Sequence, residues 1–300
     1  MKVSICTPTY NRRAFIPTLI HCVKYQDYTG PLEWVIVDDG TDPIYDLVKD
    51  IACVKYIRLP TKYPLGTKRN IMHANCTGDI LVYMDDDDYY PPTRVSHAVS
   101  KLKSSSALCA GSSAIHILFH EIGKIVQFGP YGQNHATAGT FAFKRELLKV
   151  TSYEEDSCMA EEKYFLKNYT IPMVQLDPHH VILVVSHKQN TFDKKTLLDK
   201  PNPYMKETTL TIHDFIHDPT LLTFFNETIR HLTYVPDKPD VIRYQKNLEL
   251  ANTFSVKIED KIIKGNDIIQ LLNQQQQKIR ELTERNTTLQ KVVNNYIIKN

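Results

Sequence analysis

The sequence predicts an α/β fold in which a parallel sheet is covered by helices on both faces. Three observations carry this expectation. Four short β-prone runs alternate with three helical patterns in the first 90 residues. Their connections are short, as in repeated βαβ units. Polar residues gather at the ends of three strands, whereas the strands themselves read as near-continuous apolar runs, the mark of a sheet buried on both sides.

In chain order, Val3–Thr7 is the first strand, and Pro8 to Arg13 is a turn-forming polar stretch after it. Phe15, Ile16, Leu19, Ile20 and Val23 then recur at helical spacing. Glu33–Val37 is a second strand, stopped by Asp38-Asp39-Gly40-Thr41-Asp42, and Leu47, Val48 and Ile51 mark a second helix. Val54–Ile57 is the third strand, and Gly66 opens a third helix that runs to about Ala74. The fourth strand, Ile80–Met84, ends in four consecutive carboxylates, Asp85 to Asp88. Carboxylates about 4 Å apart repel by about 1 kcal/mol per pair in water, and by more near a protein surface. Such a run is therefore either fully solvated or held together by a cation, and its oxygens suit Mg²⁺ or Mn²⁺. Its position favours a site, because open α/β sheets bind ligands beyond the carboxyl ends of their strands.

A helix is expected from Pro91-Pro92, then strands at Ala107–Gly111 and Ile115–Phe119, with a hairpin turn at Glu121 to Lys124 into Ile125–Phe128. Ala138–Phe143 is strand-like with a glycine near its start, and Ala160 to Leu166 reads as a helix with acids in its first turn. Val174–Leu176 and Val181–Val185 are further strands, the second followed by His187. From about Asp193, prolines punctuate short helical pieces, and residues 258–300 contain none. In that tail Leu272, Ile279, Leu282, Leu289 and Val293 fit a heptad seam with Asn286 at a core position. The pattern is that of a parallel dimeric coiled coil, hence a homodimer, or of one amphipathic helix laid back on its own domain. The expected division is a core over 1–195, a helical, acceptor-side extension over 196–257 and a long helix over 258–300.

Composition narrows the class. A net charge of +2 demands neither nucleic acid nor an anionic membrane, and 42% hydrophobic content supplies a core. No apolar run approaches the ~20 residues of a transmembrane helix. The six cysteines are scattered without a Cys-x-x-Cys pair, which fits buried free thiols in a reducing compartment. The start of the chain has no signal-peptide layout, so a soluble, cytoplasmic protein is expected.

Thr7-Pro8-Thr9-Tyr10-Asn11-Arg12, Val37-Asp38-Asp39-Gly40-Thr41, Lys68-Arg69-Asn70, Asp85 to Asp88 and Glu161-Glu162 follow one another in an order and spacing that resembles the family-two glycosyltransferases of the GT-A fold. The resemblance covers about residues 1–195. It implies a Rossmann-like core and an inverting, metal-dependent transfer of sugar from a UDP-sugar to a hydroxyl of a glycan or other acceptor. By the same resemblance Thr7, Tyr10 and Arg12 line the nucleotide pocket, and Asp39, or Asp38 beside it, accepts the uracil N–H. Lys68 and Arg69 meet the base and ribose or the diphosphate. Asp87 ligates Mn²⁺ or Mg²⁺ with His187, Asp85 or Asp86 lies near the ribose and donor sugar, and Asp88 caps the next helix. Glu162 is the base that deprotonates the acceptor, with Glu161 contacting acceptor or sugar, although the family usually ends this pair in Asp. Gly139 resembles the glycine that lets a sugar approach closely. Two other functions compete. A sugar nucleotidyltransferase wants a glycine-rich phosphate loop after the first strand, and Thr7 to Arg13 contains no glycine. A nucleotide-sugar-binding scaffold with a coiled-coil tail would bind UDP without turnover.

Overall fold

The structure is a computed structural model of the chain, and it describes residues 1–156, 162–190, 193–199, 202–232, 255–258 and 261–264. The first four strands, β1 (Val3–Thr9), β2 (Leu32–Asp38), β3 (Val54–Arg58) and β4 (Ile80–Tyr83), pair in parallel in the order β3-β2-β1-β4. Helices α1 (Ile16–Lys24), α2 (Tyr45–Val48) and α3 (Leu65–Asn75) connect them. Register places Thr9 beside Asp38 and Cys6 beside Tyr83, so the polar ends of β1, β2 and β4 share one edge as the sequence predicts.

Alternation along each strand decides which helix it meets. Val3 and Ile5 of β1, Trp34 and Ile36 of β2, and Ile80 and Val82 of β4 face a cluster with Ile16 and Leu19 of α1. α4 (Arg94–Lys103) joins this face through Val95, Ala98, Val99 and Leu102. The residues between them, Cys6, Val35, Val37, Leu81 and Tyr83, face the opposite way onto Met72 of α3. Both faces are thus covered.

Beyond β4 the sheet stops being parallel. β5 (Cys109–Gly111), β6 (Ile115–Phe119), β7 (Lys124–Phe128), β8 (Ala142–Lys144), β9 (Met173–Gln175), β10 (Leu183–Ser186) and β11 (Met205–Glu207) follow in the chain. β8 runs antiparallel to both β4 and β5, and the seven-stranded order is β3-β2-β1-β4-β8-β5-β9. A second sheet, β10-β6-β7-β11, pairs β10 with β6 in parallel. The stretch expected as one strand over 138–143 is a 3-10 turn at Ala138–Thr140 followed by β8. A short helix, α5, spans Glu162–Phe165.

Two expected boundaries differ. The first compact unit runs from Met1 to Thr233, not to 195. Ile212, Ile216, Leu221, Phe225 and Ile229 are buried in the same core cluster as Phe15, and β11 completes the second sheet on β7. The sequence hides this because the apolar residues are spread over short, proline-punctuated pieces. In the second unit, Ser255–Ile258 pairs antiparallel with Lys261–Lys264 as a hairpin, so no helix begins at 258. Val256, Ile258, Ile262 and Ile263 are β-branched, which favours strand over helix. The heptad seam from Leu272 lies outside the described residues. No helix among the described residues is long and apolar enough to cross a membrane.

Candidate active site

Four of the predicted residues meet at one point. Arg12, just past β1, puts Nε 3.6 Å from Asp86 Oδ1 and Nη2 3.5 Å from Asp87 Oδ2. His187, one residue past β10, places Nε2 3.2 Å from Asp87 Oδ2. Asn190 supports the pair: its Nδ2 donates to Asp87 Oδ2 at 3.2 Å, while its Oδ1 accepts the His187 backbone N–H at 2.8 Å. The Gln189 N–H donates to His187 Nδ1 at 3.2 Å, which turns Nε2 toward the carboxylate.

Neighbouring carboxylates here are shifted in opposite directions. Burial pushes Asp86 up to about 7, against the pull of Arg12 and with the push of Asp87. Asp87 is also raised by burial, but the His187 hydrogen bond and Arg12 outweigh it and hold this carboxyl well below the usual range. His187 itself is lowered, chiefly by burial. Asp88 is raised well above its ordinary value by burial and by Asp87.

The structure reassigns several predicted residues. Thr7 does not line a pocket: its buried hydroxyl donates to the Met84 carbonyl at 2.7 Å and accepts Trp34 Nε1–H at 2.9 Å. Asp38 is consumed by its own turn, accepting from Gly40 N at 2.8 Å, Ile44 N at 3.1 Å and the Tyr56 hydroxyl at 2.5 Å. Arg12 lies against the acidic run. Lys68 turns inward, donating to Asp39 Oδ1 at 2.8 Å and the Thr9 carbonyl at 3.3 Å. The other Asp39 oxygen accepts Tyr63 N–H at 2.8 Å. Arg69 lies over the Tyr83 ring at 4.5 Å, with Nη1 3.6 Å from Asp85 Oδ1, so it braces the acidic strand end from beneath. Asp88 caps no helix; it accepts the Val185 backbone N–H at 2.8 Å and ties the acidic run to β10. Each reassignment has one cause: a polar group at a buried strand end is satisfied locally first.

Tyr10 stays at the edge, half-buried, with the Lys62 ammonium 4.0 Å over its ring. Gly139 faces Asp85, and a Cβ added to it would lie 3.0 Å from Asp85 Oδ2. Glu162 is the first residue of α5, and its charge adds to burial in raising the Tyr169 hydroxyl. α5 is tied to α3 through Tyr153: its ring stacks on Phe165 at 4.5 Å, and its backbone is bracketed by Asn70 at 2.9 and 3.0 Å. Glu161 lies outside the described residues. Sequence reasoning missed Asn190, Tyr90, Arg94 and Tyr153; Asn190 alone left a signal, three residues after His187 in a polar strand end.

A divalent cation fits as a partial site. Among the described residues no group of three or more His, Cys, Asp or Glu side chains forms a closed cage. The 3.2 Å between Asp87 Oδ2 and His187 Nε2 is nonetheless close to the ~3 Å edge of two adjacent ligands on an octahedral ion with bonds near 2.1 Å. Hard cations in phosphate chemistry are commonly held by one or two side chains, with the substrate completing the shell.

The α/β sheet, whose strand ends bring together a buried acidic run, an arginine and a histidine, has the GT-A fold. Residues 4–151 match the sequence model of Glycosyl transferase family 2, and the chain carries a domain of that family. Over 122 residues it is 28% identical to the GalNAc(5)-diNAcBac-PP-undecaprenol beta-1,3-glucosyltransferase of Campylobacter jejuni, a match covering 38% of each chain. The fold is similar to that of TarS 1–349 of S. aureus solved with UDP-GlcNAc, at TM-score 0.52 and 20% identity over 63% of this chain and 60% of that one. It is also similar to the mannosyltransferase PcManGT of Pyrobaculum calidifontis, solved with GDP-Man and Mn²⁺, at TM-score 0.50 and 19% identity over 63% and 58%. The matches span 35%, 33% and 38% of three curated relatives, about a third of each.

Proposed function

We propose that the chain is a metal-dependent, inverting glycosyltransferase that moves a sugar from a UDP-sugar to a hydroxyl of a glycan or other acceptor. The observation that carries this reading is the convergence of Asp87, His187 and Arg12 from three separate strand ends within 3.5 Å. The family match over 4–151 and the UDP-GlcNAc bound by TarS support it.

Asp87 and His187 hold the Mn²⁺ or Mg²⁺, with Asn190 keeping both side chains in place. When bound, the cation acts as a Lewis acid on the diphosphate and neutralises charge on the departing UDP. Arg12 offsets the charge of Asp86 and Asp87 before the donor arrives. Tyr10 offers its ring at the nucleotide end, and Asp39, fixed by Lys68 and Tyr63, gives that end a constrained acceptor oxygen. Asp85 and the Gly139 backbone border the donor sugar. Glu162 removes the acceptor proton as the hydroxyl attacks the anomeric carbon from the face opposite the leaving phosphate. Its extra methylene relative to Asp lengthens its reach. Glu161 is assigned to the acceptor or sugar on the strength of its place in the pair.

The test is a panel of UDP- and GDP-sugars incubated with and without Mn²⁺, with release of nucleoside diphosphate as readout. Mn²⁺-dependent hydrolysis of a UDP-sugar that is lost in Asp87→Ala supports the assignment. Tight UDP binding without turnover on any sugar would replace it with a nucleotide-sugar-binding protein. From the seam at Leu272 to Val293 we further propose self-association through the tail. Light scattering should then give twice the chain mass for the full chain and one chain mass for residues 1–233.

A further inference from the structure

Two buried side chains that the proposed chemistry does not use lie directly behind Asp85. Tyr90 is 1% exposed; its hydroxyl accepts the Asp85 backbone N–H at 2.6 Å and reaches within 3.5 Å of the Gly139 carbonyl oxygen. Arg94, the first residue of α4, is 0% exposed. Its Nη2 donates to the carbonyls of Tyr83 at 3.0 Å and Phe141 at 2.7 Å. Each residue therefore bridges the end of β4, which carries the acidic run, and residues 138–141, the turn that carries Gly139 and the Phe141 that follows it.

A guanidinium is an expensive way to fill that space. Nε and Nη1 of Arg94 are buried and have no hydrogen-bond partner among the described residues. Burial lowers Arg94 to about 10, with Tyr90 and Asp85 opposing, so it remains a cation at neutral pH. An aliphatic side chain would pack there without orphaned donors. What it could not do is reach two carbonyls on separate segments and place a positive charge beneath a carboxylate run.

The gap these bridges span is narrow. A Cβ on Gly139 would meet Asp85 Oδ2 at 3.0 Å, Ile182 at 3.4 Å and the Tyr90 hydroxyl at 3.7 Å. The Asp85 side chain is 25% exposed although its Oδ1 is buried, which leaves Oδ2, the oxygen facing Gly139, for a hydroxyl donor.

We propose that Tyr90 and Arg94 are positioning residues that set the spacing between the Asp85 carboxylate and Gly139, and that this spacing seats the hydroxyl-bearing edge of the donor sugar. The inference rests on the UDP-sugar reading of the site. Neither residue touches the sugar; both act through the two segments that do. Slack in this gap loosens the contacts made to the sugar and leaves those made to the nucleotide, so it reads out on donor-sugar binding and KM.

The experiment measures binding of UDP, UDP-glucose and UDP-N-acetylglucosamine by calorimetry with Mn²⁺, together with donor hydrolysis. It compares the native chain with Tyr90→Phe, Arg94→Met and Arg94→Lys. Tyr90→Phe removes a single oxygen, so it keeps the test alive if Arg94→Met does not fold. The expected result is a UDP affinity within about twofold of native and a tenfold or greater loss for the preferred UDP-sugar. Donor KM should rise more than kcat falls, and Arg94→Lys should recover part of the loss. Folded variants that bind UDP and UDP-sugar as the native chain does would overturn the role of the gap while leaving the donor reading intact. Equal loss of both ligands would make the pair a general support and also overturn it. A native chain that binds none of the three ligands removes the donor reading and this inference with it.

Discussion

Asp86 and Asp87 share a backbone and a buried strand end, yet one is driven toward protonation and the other away from it. The difference lies in partners: Asp87 has His187, Asn190 and the nearer Arg12 nitrogen, whereas Asp86 has Arg12 at 3.6 Å and a like charge beside it. Because the folded Asp86 value, about 7, lies above its ordinary 3.8, the folded state binds the extra proton between those values. Stability from this group is complete below about pH 4 and is lost as pH rises toward 7, at most about 4 kcal/mol. In metal-free protein, Asp86→Asn should abolish that decline. Melting temperatures of the two proteins should converge at pH 4 and separate at pH 7 with the variant higher; parallel curves would refute the assignment. Asp87→Ala should reduce transfer by about 10²-fold or more without changing the melt beyond the loss of its local bonds. Glu162→Gln keeps size and removes basicity, so turnover should fall by about 10²–10⁴-fold with UDP-sugar binding retained. Near-native turnover in that variant would transfer the base role elsewhere.

At the scale of elements, the polar ends of β1, β2 and β4 spend most of their hydrogen bonds on one another. Thr7 joins three strands at once, through its own position in β1, Trp34 of β2 and Met84 after β4. Thr7→Val keeps the shape and orphans the indole N–H, and should cost about 1–3 kcal/mol in a denaturant titration. The Lys68–Asp39 pair fastens α3 to the end of β2 at 2.8 Å. Lys68→Met leaves the Asp39 charge buried without its cation and should cost about 3–5 kcal/mol. Adding Asp39→Leu should restore much of that stability while removing the fixed acceptor at the nucleotide end, so a double-mutant melt and UDP titration separate structural from binding roles. These bonds also explain why motif reading overfilled the pocket. Thr7, Asp38 and Lys68 carry the chemistry a ligand would want, but their closest partners are already in the chain.

Over the whole molecule, the core draws on the stretch from Ile212 to Ile229. Ile212, Ile216, Leu221, Phe225 and Ile229 bury against it, and at roughly 1.5–3 kcal/mol each their loss rivals the ~5–15 kcal/mol that holds a domain folded. A chain ending at 195 should therefore aggregate or melt without a cooperative transition, whereas one ending at Thr233 should unfold in a single step by circular dichroism. By itself the sequence determined the alternation of strands and helices up to Asp88, the shared edge on which β1, β2 and β4 end, and the acidic run that closes β4. Those features follow from local periodicity and from the abrupt change of polarity at strand ends. Tertiary structure alone decided the antiparallel insertion of β8, the second sheet that delivers His187 to Asp87 across 100 residues, and the inward turn of Lys68 and Arg69. It also decided that Tyr90 and Arg94 stand behind Asp85. Partner choice at a buried end depends on which distant segment arrives there, and no periodicity in the chain encodes that arrival.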